Sequence, residues 1–299
     1  MKEFEPSATA RFVATGVFHT ATHLGLHVEV PQQMAELNER MLQASLRTDL
    51  RGGFGRRWVR WRGGVLQRFA VPGLFLHFVL RKRWIEAQAR KAVGKGASQV
   101  VILGAGLDTL SLRLAETNPE LTILEVDHPA TQGGKKQAVE GLPDRWTPPT
   151  FIALDLTRRD LRESLQACPD YDPAAPTLFV AEGLLMYLTE AEVTEIFDVV
   201  RSCAGPGSST LFTFMDEQRP GNFQFRNATP MVDLWLRLKH ETFVWGIGPD
   251  RLGAFLEERG HRLDSWAGEA AFRERLLTAE NRHAPLAIGE HVALAEVIR

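Results

Sequence analysis

Five short apolar segments constrain the fold of this chain more than any other feature of its sequence. Each is largely apolar, and the first, Gln99 to Leu103, is β-branched and does not alternate with polar residues, which is typical of a strand buried on both faces of a parallel sheet. Most are separated by stretches of helical length, and acidic residues follow four of them. The segments are Gln99 to Leu103, Leu121 to Val126, Phe151 to Leu154, Thr177 to Ala181 and Thr210 to Phe214. This pattern predicts a doubly wound α/β sheet whose binding site lies at the carboxyl ends of the strands.

Two later segments, His261 to Trp266 and His291 to Ile298, fit an antiparallel pair that closes the sheet after a helix at 251–259. Together the segments predict a Rossmann-like, mostly parallel sheet of seven strands. We expect residues 1–95 to form a helical N-terminal cap or lid. Residues 96–299 form the predicted core, which carries an insertion at about 217–250 that covers the substrate.

The N-terminal third has a helical pattern. Ser7 is a plausible N-cap of a first helix, and Pro31 introduces a second helix with apolar residues at helical spacing. A third helix is predicted over Phe78 to Val93, ended by Gly94 and Gly96.

The turn that follows the first predicted strand, Gly104 to Thr109, is rich in glycine. Glycine has no Cβ and lets the backbone approach a ligand, and the helix N-terminus behind the turn favours anionic groups. Asp127 stands 21 residues after Gly106 at the end of the second strand, where a carboxylate can accept hydrogen bonds from a ribose diol. A dinucleotide-binding turn would have glycine or alanine at its last position, and this chain has Thr109.

The acidic residues after the later strands distinguish between nucleotide cofactors. S-adenosylmethionine has no pyrophosphate and presents an amino acid end, a sulfonium and an adenine amine. Asp155 can accept a hydrogen bond from that amine, Leu156 offers an apolar edge to the ring, and Glu182 can meet the cationic end. Any one of these acids could instead be a helix cap or a solvated loop residue, but their shared register favours a site.

Several stretches resemble the leucine carboxyl methyltransferase family, including its bacterial members that methylate small molecules. The matching stretches are LRKRWIE (80–86), VVILGAGLDTLSLRL (100–114), LEVDHPATQ (124–132), ALDL (153–156) and AEGLLMYL (181–188). The stretch before the first strand is the weaker match. Residues 1–75 and 217–250, where such enzymes build the lid over the acceptor, match poorly or are not diagnostic.

The resemblance implies a bound S-adenosylmethionine and assigns its contacts. An arginine before the first strand would bind the cofactor carboxylate, and the spacing to Ile85 fits Arg81 better than Arg83. The alternative for Arg81 is a solvated helix face. The implied cofactor-binding residues are Arg81, Gly104, Ala105, Gly106, Asp127, His128, Asp155, Leu156 and Glu182.

Candidates for the acceptor side are fewer and less specific. His128 and Tyr187 are the candidate catalytic residues, because a phenol or alcohol acceptor would need a general base, whereas a carboxylate would not. The alternative for both residues is a structural role. Arg57 and Arg60 belong to an Arg/Trp cluster at 56–62 that could grip an anionic substrate. The same cluster could be an amphipathic cap segment or, less favoured, a nucleic-acid contact.

Charge and histidine spacing suggest further partners. Residues 47–91 hold twelve Lys and Arg against two acids, although the whole chain has a formal charge of −2. His19, His23 and His27 recur every four residues, but a tetrahedral metal site usually needs a fourth ligand from elsewhere, so we predict no metal.

The sequence as a whole predicts a cytoplasmic enzyme that transfers a methyl group from S-adenosylmethionine to an oxygen. The acceptor is predicted to be a small-molecule carboxylate or hydroxyl of secondary metabolism, and the Arg/Trp cluster suggests an anionic one. The alternatives are a protein C-terminal carboxylate as acceptor, a nicotinamide-dependent oxidoreductase and an RNA-binding module. No apolar stretch reaches membrane-spanning length, and acids stand near the N-terminus where a signal peptide needs basic residues.

Overall fold

A computed structural model describes residues 7–22, 28–46, 71–156, 160–229 and 242–298. Within these residues the chain forms one seven-stranded sheet in the order β3-β2-β1-β4-β5-β7-β6. The strands are β1 (Gln99–Leu103), β2 (Thr122–Asp127), β3 (Thr150–Ala153), β4 (Thr177–Ala181), β5 (Ser209–Met215), β6 (His261–Ala267) and β7 (Glu290–Val297). Strands β1 to β5 pair in parallel, and β7 pairs antiparallel with both β5 and β6. The predicted Rossmann-like fold is therefore confirmed, including its antiparallel closing pair.

The most apolar strands have the boundaries that the sequence predicts. All five residues of β1 and of β4 are buried, as expected for central strands covered by helices on both faces. The order of the strands reverses between β1 and β4, and an open α/β sheet places its ligand site at such a point.

Nine α-helices and one short 3₁₀ helix surround the sheet in the described part of the chain. The α-helices are α1 (Ala8–Thr22), α2 (Gln32–Leu46), α3 (Leu74–Gly94), α4 (Leu110–Thr117), α5 (Pro129–Glu140), α6 (Leu161–Gln166), α7 (Glu190–Cys203), α8 (Pro249–Glu257) and α9 (Glu269–Leu276). The 3₁₀ helix, Leu185–Tyr187, follows β4. No described helix combines the length and apolar character that a bilayer crossing requires.

Helix α3 begins four residues before the predicted Phe78 and ends at Gly94. Its first nine residues are all buried, so this end of the helix has no polar face whose periodicity could reveal it. Gly73, with φ +76°, precedes the helix and turns the chain into it. A buried helix at this position brings its interior side chains against the sheet near β4, β5 and β7.

Helix α1 lies across α3 and over the glycine-rich turn. Its Gly16 packs so closely on Phe75 that a Cβ there would come within 2.6 Å of the ring. Near the N-terminus of the same helix, the Cβ of Ala10 would lie 3.4 Å from a Cβ on Gly106 of the glycine-rich turn. The Ala10 N–H donates to the Ser7 hydroxyl (3.1 Å), which confirms Ser7 as the cap of this helix. The predicted division between a lid at 1–95 and a core at 96–299 stays a prediction.

Candidate cofactor and active site

The turn after β1 brings the backbone close to the turn after β4. Gly104 and Gly106 have φ +66° and +52°, in the left-handed region that side chains other than glycine rarely adopt. A Cβ on Gly104 would lie 2.9 Å from Cδ1 of Leu184, so a larger residue would separate the two turns. Ala105 between the glycines is buried. The predicted glycine turn therefore lies where the strand order reverses.

Asp127, the last residue of β2, is held by two backbone N–H groups. The Gly106 N–H donates to its Oδ2 and the His128 N–H donates to its Oδ1, both at 2.7 Å. Burial raises the pKa of Asp127, although these two hydrogen bonds oppose the rise. Each carboxylate oxygen retains a further lone pair, so the pair of oxygens can accept two hydroxyl groups. This geometry suits a ribose diol.

His128 caps helix α5 with its side chain. Its Nδ1 accepts a hydrogen bond from the Ala130 N–H (3.2 Å), which assigns the ring proton to Nε2. That Nε2 faces Oδ2 of Asp155 at 3.8 Å. The structure thus brings Asp127, His128 and Asp155 side by side, with Leu156 packed against the core beneath them. In this tautomer the ring does not present a free basic nitrogen.

Glu182, directly after β4, contacts two cations from helix α3. The Arg81 Nε donates to its Oε1 at 3.0 Å, and the Arg81 Nη2 lies 2.8 Å from the same oxygen. Lys82 Nζ donates to Oε1 as well (3.0 Å) and also pairs with Asp108 of the glycine turn. Sequence reasoning missed Lys82 and Asp108 as site residues, although both lie within matching stretches.

Arg81 is also paired on its other side, because Glu290 of β7 accepts from Nη1 with both carboxylate oxygens at 2.7 Å. Arg81 is only 4% exposed, so its interpretation as a solvated helix face is wrong. Burial opposes its charge, yet Glu290 and Glu182 hold the pKa of Arg81 above its usual value. Arg83, by contrast, points away and donates to the Glu29 carbonyl (3.2 Å).

These ionic groups together leave the Arg81 end of the site with a negative charge. Two cations, Arg81 and Lys82, stand against three carboxylates, Asp108, Glu182 and Glu290, which gives a net charge of −1. The amino acid end of S-adenosylmethionine carries one carboxylate beside an ammonium and a sulfonium. A site of mixed charge with a negative excess suits that group, and the arginine and lysine suit its carboxylate.

Aromatic side chains lie next to this charged group on the same edge of the sheet. The guanidinium carbon of Arg81 is 5.2 Å from the ring centre of Phe78, which itself contacts Phe12 of α1 (5.9 Å between ring centres). Tyr187, in the 3₁₀ helix after β4, packs edge-on against Phe243 at 5.4 Å. We name this aromatic cluster by its members, Phe12, Phe75, Phe78, Tyr187, Phe225 and Phe243.

Some predicted residues lie outside the described ones. Arg57 and Arg60, which are predicted to bind substrate, are not among the described residues, and neither are His23 and His27. His19 is buried beside Phe75. Among the described residues, no group of three His, Cys, Asp or Glu side chains is arranged to hold a metal ion.

Comparison with known proteins identifies the family. The model of the leucine carboxyl methyltransferase family matches residues 37–201, which is 165 of the 299 residues. This chain belongs to the leucine carboxyl methyltransferase family. The match spans helix α3, the glycine turn and the acidic residues Asp127, Asp155 and Glu182. It therefore includes most of the site described above.

The names given to similar proteins agree with the family. A Mycolicibacterium smegmatis protein, assigned as an S-adenosylmethionine-dependent methyltransferase, is 27% identical over 74% of this chain and 73% of its own length. A Mycobacteroides abscessus protein with the same assignment is 32% identical over 71% of this chain and 68% of its own. The family member described here is an S-adenosylmethionine-dependent methyltransferase, and the oxidoreductase alternative is wrong.

Solved structures agree on the fold. A protein from the duf574 family of Streptomyces avermitilis superposes with a TM-score of 0.63 over 98% of both chains, at 12% identity. A Thermobifida fusca protein assigned as a methyltransferase gives a TM-score of 0.57 over 87% of this chain and 94% of its own, at 18% identity. At these identities the likeness concerns the architecture alone.

Proposed function

We propose that this family member methylates an oxygen of a small-molecule acceptor, a carboxylate or a hydroxyl, in secondary metabolism. One observation carries the proposal: a single sheet edge gathers the glycine turn, the Asp127 carboxylate and the Arg81–Glu182 pair, next to an aromatic cluster. The name of the family, which refers to a carboxyl group, supports oxygen as the atom that receives the methyl group.

Each part of this edge has a task in the proposal. Asp127 holds the ribose, Asp155 and Leu156 hold the adenine, and Glu182 with Arg81 holds the amino acid end. When bound, S-adenosylmethionine supplies an electrophilic methyl group on a sulfonium. The chain's own contribution is to align the acceptor oxygen with that group and to exclude water.

The two acceptor classes make different demands on His128 and Tyr187. A hydroxyl acceptor needs a base, and the His128 ring already caps α5 through Nδ1. A carboxylate is nucleophilic at neutral pH without a base. The cap contact therefore favours a carboxylate, with Tyr187 as a neighbour of the acceptor and with Arg57 and Arg60 of the predicted lid as its cationic partners. A cytoplasmic location stays a prediction.

The test begins with binding and ends with an acceptor screen. Calorimetric titration should show binding of S-adenosylmethionine and S-adenosylhomocysteine and none of NADH. The protein is then incubated with S-adenosylmethionine and with pools of aromatic acids and phenols, and methylated products are detected by mass spectrometry. Arg57→Gln and Arg60→Gln should raise the KM of the acceptor and leave the Kd of S-adenosylhomocysteine unchanged. Methylation of amine acceptors alone would contradict the proposal.

A further inference from the structure

The inner face of helix α3 is tied to the last strand of the sheet. His77 and Arg81 lie four residues apart on this helix and therefore share a face. Both contact Glu290, the first residue of β7: His77 through Nε2 at 2.9 Å and Arg81 through Nη1 at 2.7 Å. All three side chains are buried, with His77 at 0% and Glu290 at 1% exposure.

Stability alone does not account for this arrangement. Burying two charges costs several kcal/mol in desolvation, and apolar residues of similar volume often replace such a pair without loss. The contacts instead fix an orientation. Glu290 engages Nη1 with both oxygens, Glu182 engages Nε and Nη2, and the guanidinium plane is therefore held from two sides. His77 in turn fixes the Glu290 carboxylate.

The orientation leaves one end of Arg81 beside open backbone. Gly183 follows Glu182 with φ +63°, and a Cβ there would lie 3.6 Å from Arg81 Nη2 and 3.9 Å from Nη1. A side chain at this position would fill the space next to the guanidinium. Nη2 carries a second N–H besides the one that faces Glu182, so a further acceptor can be bound there.

We propose that Glu290, oriented by His77, is a positioning residue that aims the Arg81 guanidinium at the carboxylate of the S-adenosylmethionine amino acid end. This inference rests on the proposed role of Arg81 in cofactor binding. It assigns a task in the site to β7, a strand that lies outside the matched range 37–201.

The experiment compares two ligands that differ only in the group in question. S-adenosylhomocysteine has the amino acid end, whereas methylthioadenosine has the same nucleoside and thioether without it. Calorimetry of the full chain gives a Kd for each ligand. If Glu290 positions Arg81, Glu290→Gln raises the Kd of S-adenosylhomocysteine about tenfold, the effect of losing one charge-assisted hydrogen bond, and leaves the Kd of methylthioadenosine within about twofold.

Glu125→Gln is the matched control. Glu125 is as buried as Glu290 and pairs with buried Lys135 at 2.6 Å, but it lies on β2 away from Arg81. It is near Asp127, whose proposed ribose contact is shared by both ligands, so its removal should leave the ratio of the two Kd values unchanged. A loss of affinity for both ligands in Glu290→Gln, or for neither, would overturn the proposal and leave Glu290 a purely structural residue.

Two further variants keep the test decisive. If Glu290→Gln does not fold, His77→Leu keeps the ion pair and removes the hydrogen bond that orients it, and should raise the Kd of S-adenosylhomocysteine alone, about threefold. Arg81→Gln tests the premise. If this variant leaves the ratio of Kd values unchanged, or if the unaltered chain binds neither ligand, then the proposed role of Arg81 fails, and the positioning role fails with it.

Discussion

The carboxylate at one end of the candidate site, Asp127, is held by backbone N–H groups, whereas those at the other end are held by side-chain cations. The pKa values of Asp127 and Glu290 are shifted in opposite directions. Burial raises the pKa of Asp127, but Arg81 and His77 outweigh burial at Glu290 and lower its pKa to about 2. The Glu290 carboxylate near Arg81 is thus held in its charged form by side chains of the chain itself. The Asp127 carboxylate can still be stabilised by hydrogen bonds from a ligand.

The comparison predicts first that the two ends differ in their importance for stability. Glu290→Ala leaves the buried Arg81 with one carboxylate partner fewer, and should lower the free energy of unfolding by about 3 kcal/mol. Asp127→Ala removes hydrogen bonds to two backbone N–H groups rather than a direct buried ion pair, and should cost about 1 kcal/mol. Urea denaturation followed by circular dichroism measures both. Equal losses would show that the two ends are held alike.

For ligand binding we expect the opposite order, with the larger effect from a substitution at Asp127. Asp127→Asn replaces one acceptor oxygen by a donor and should weaken S-adenosylhomocysteine binding by about 2 kcal/mol, or roughly thirtyfold. The melting temperature should change little. Asp144→Asn, on an exposed residue, is the control and should bind normally. An unchanged Kd in Asp127→Asn would remove Asp127 from the site.

The third prediction concerns pH. Because the pKa of Asp127 is raised above its ordinary 3.8, acidification protonates this group earlier than a free aspartate. Protonation relieves the cost of burying the charge, so this group's contribution to folding stability rises as the pH falls. Its capacity to accept two hydroxyl groups is lost over the same range. We expect S-adenosylhomocysteine affinity to fall by about tenfold as the pH drops through the raised pKa.

Glu290 provides the contrast, since its pKa of about 2 keeps it charged over that range. The affinity of Asp127→Asn should therefore depend on pH much less than that of the unaltered chain. Calorimetry at several pH values makes the comparison. A pH dependence that persists in Asp127→Asn would assign the titration to another group.

The smallest expected effect concerns the glycine between the two ends. Gly104→Ala forces a side chain into a left-handed backbone and against Leu184, and should cost about 1 kcal/mol of unfolding free energy. Gly133→Ala is the matched control: this helical glycine has open space around it, and alanine there should stabilise the chain by about 0.5 kcal/mol. Thermal denaturation measures both. Similar shifts in both variants would show that the close approach of the turns is unimportant.

The sequence predicted best what depends on local pattern. Strands β1 and β4 were predicted to the residue, because central parallel strands are apolar throughout. Asp127 and Glu182 could be placed at one edge because parallel strands end there together. Arg81 came from the family resemblance, and its burial agrees with a place in the site.

What the sequence did not predict depends on tertiary packing. Glu290 lies 209 residues from Arg81, and no spacing rule relates a carboxylate on the last strand to a helix before the first. Lys82 stands beside Arg81 in a basic stretch, and only the packed fold shows that it pairs with Asp108 and Glu182. The start of α3 was missed because a helix that is buried all round has no amphipathic period.

The contact between α3 and β7 also affects how the chain folds during its synthesis. The pair Arg81–Glu290 joins two parts of the chain that lie 209 residues apart in sequence. During synthesis, Arg81 emerges long before its partner, and a contact of such sequence separation forms late in folding. A nascent chain cannot complete this site until Glu290 has emerged, 209 residues after Arg81, so a shorter fragment that contains the glycine turn and Arg81 still lacks the contact that orients the guanidinium.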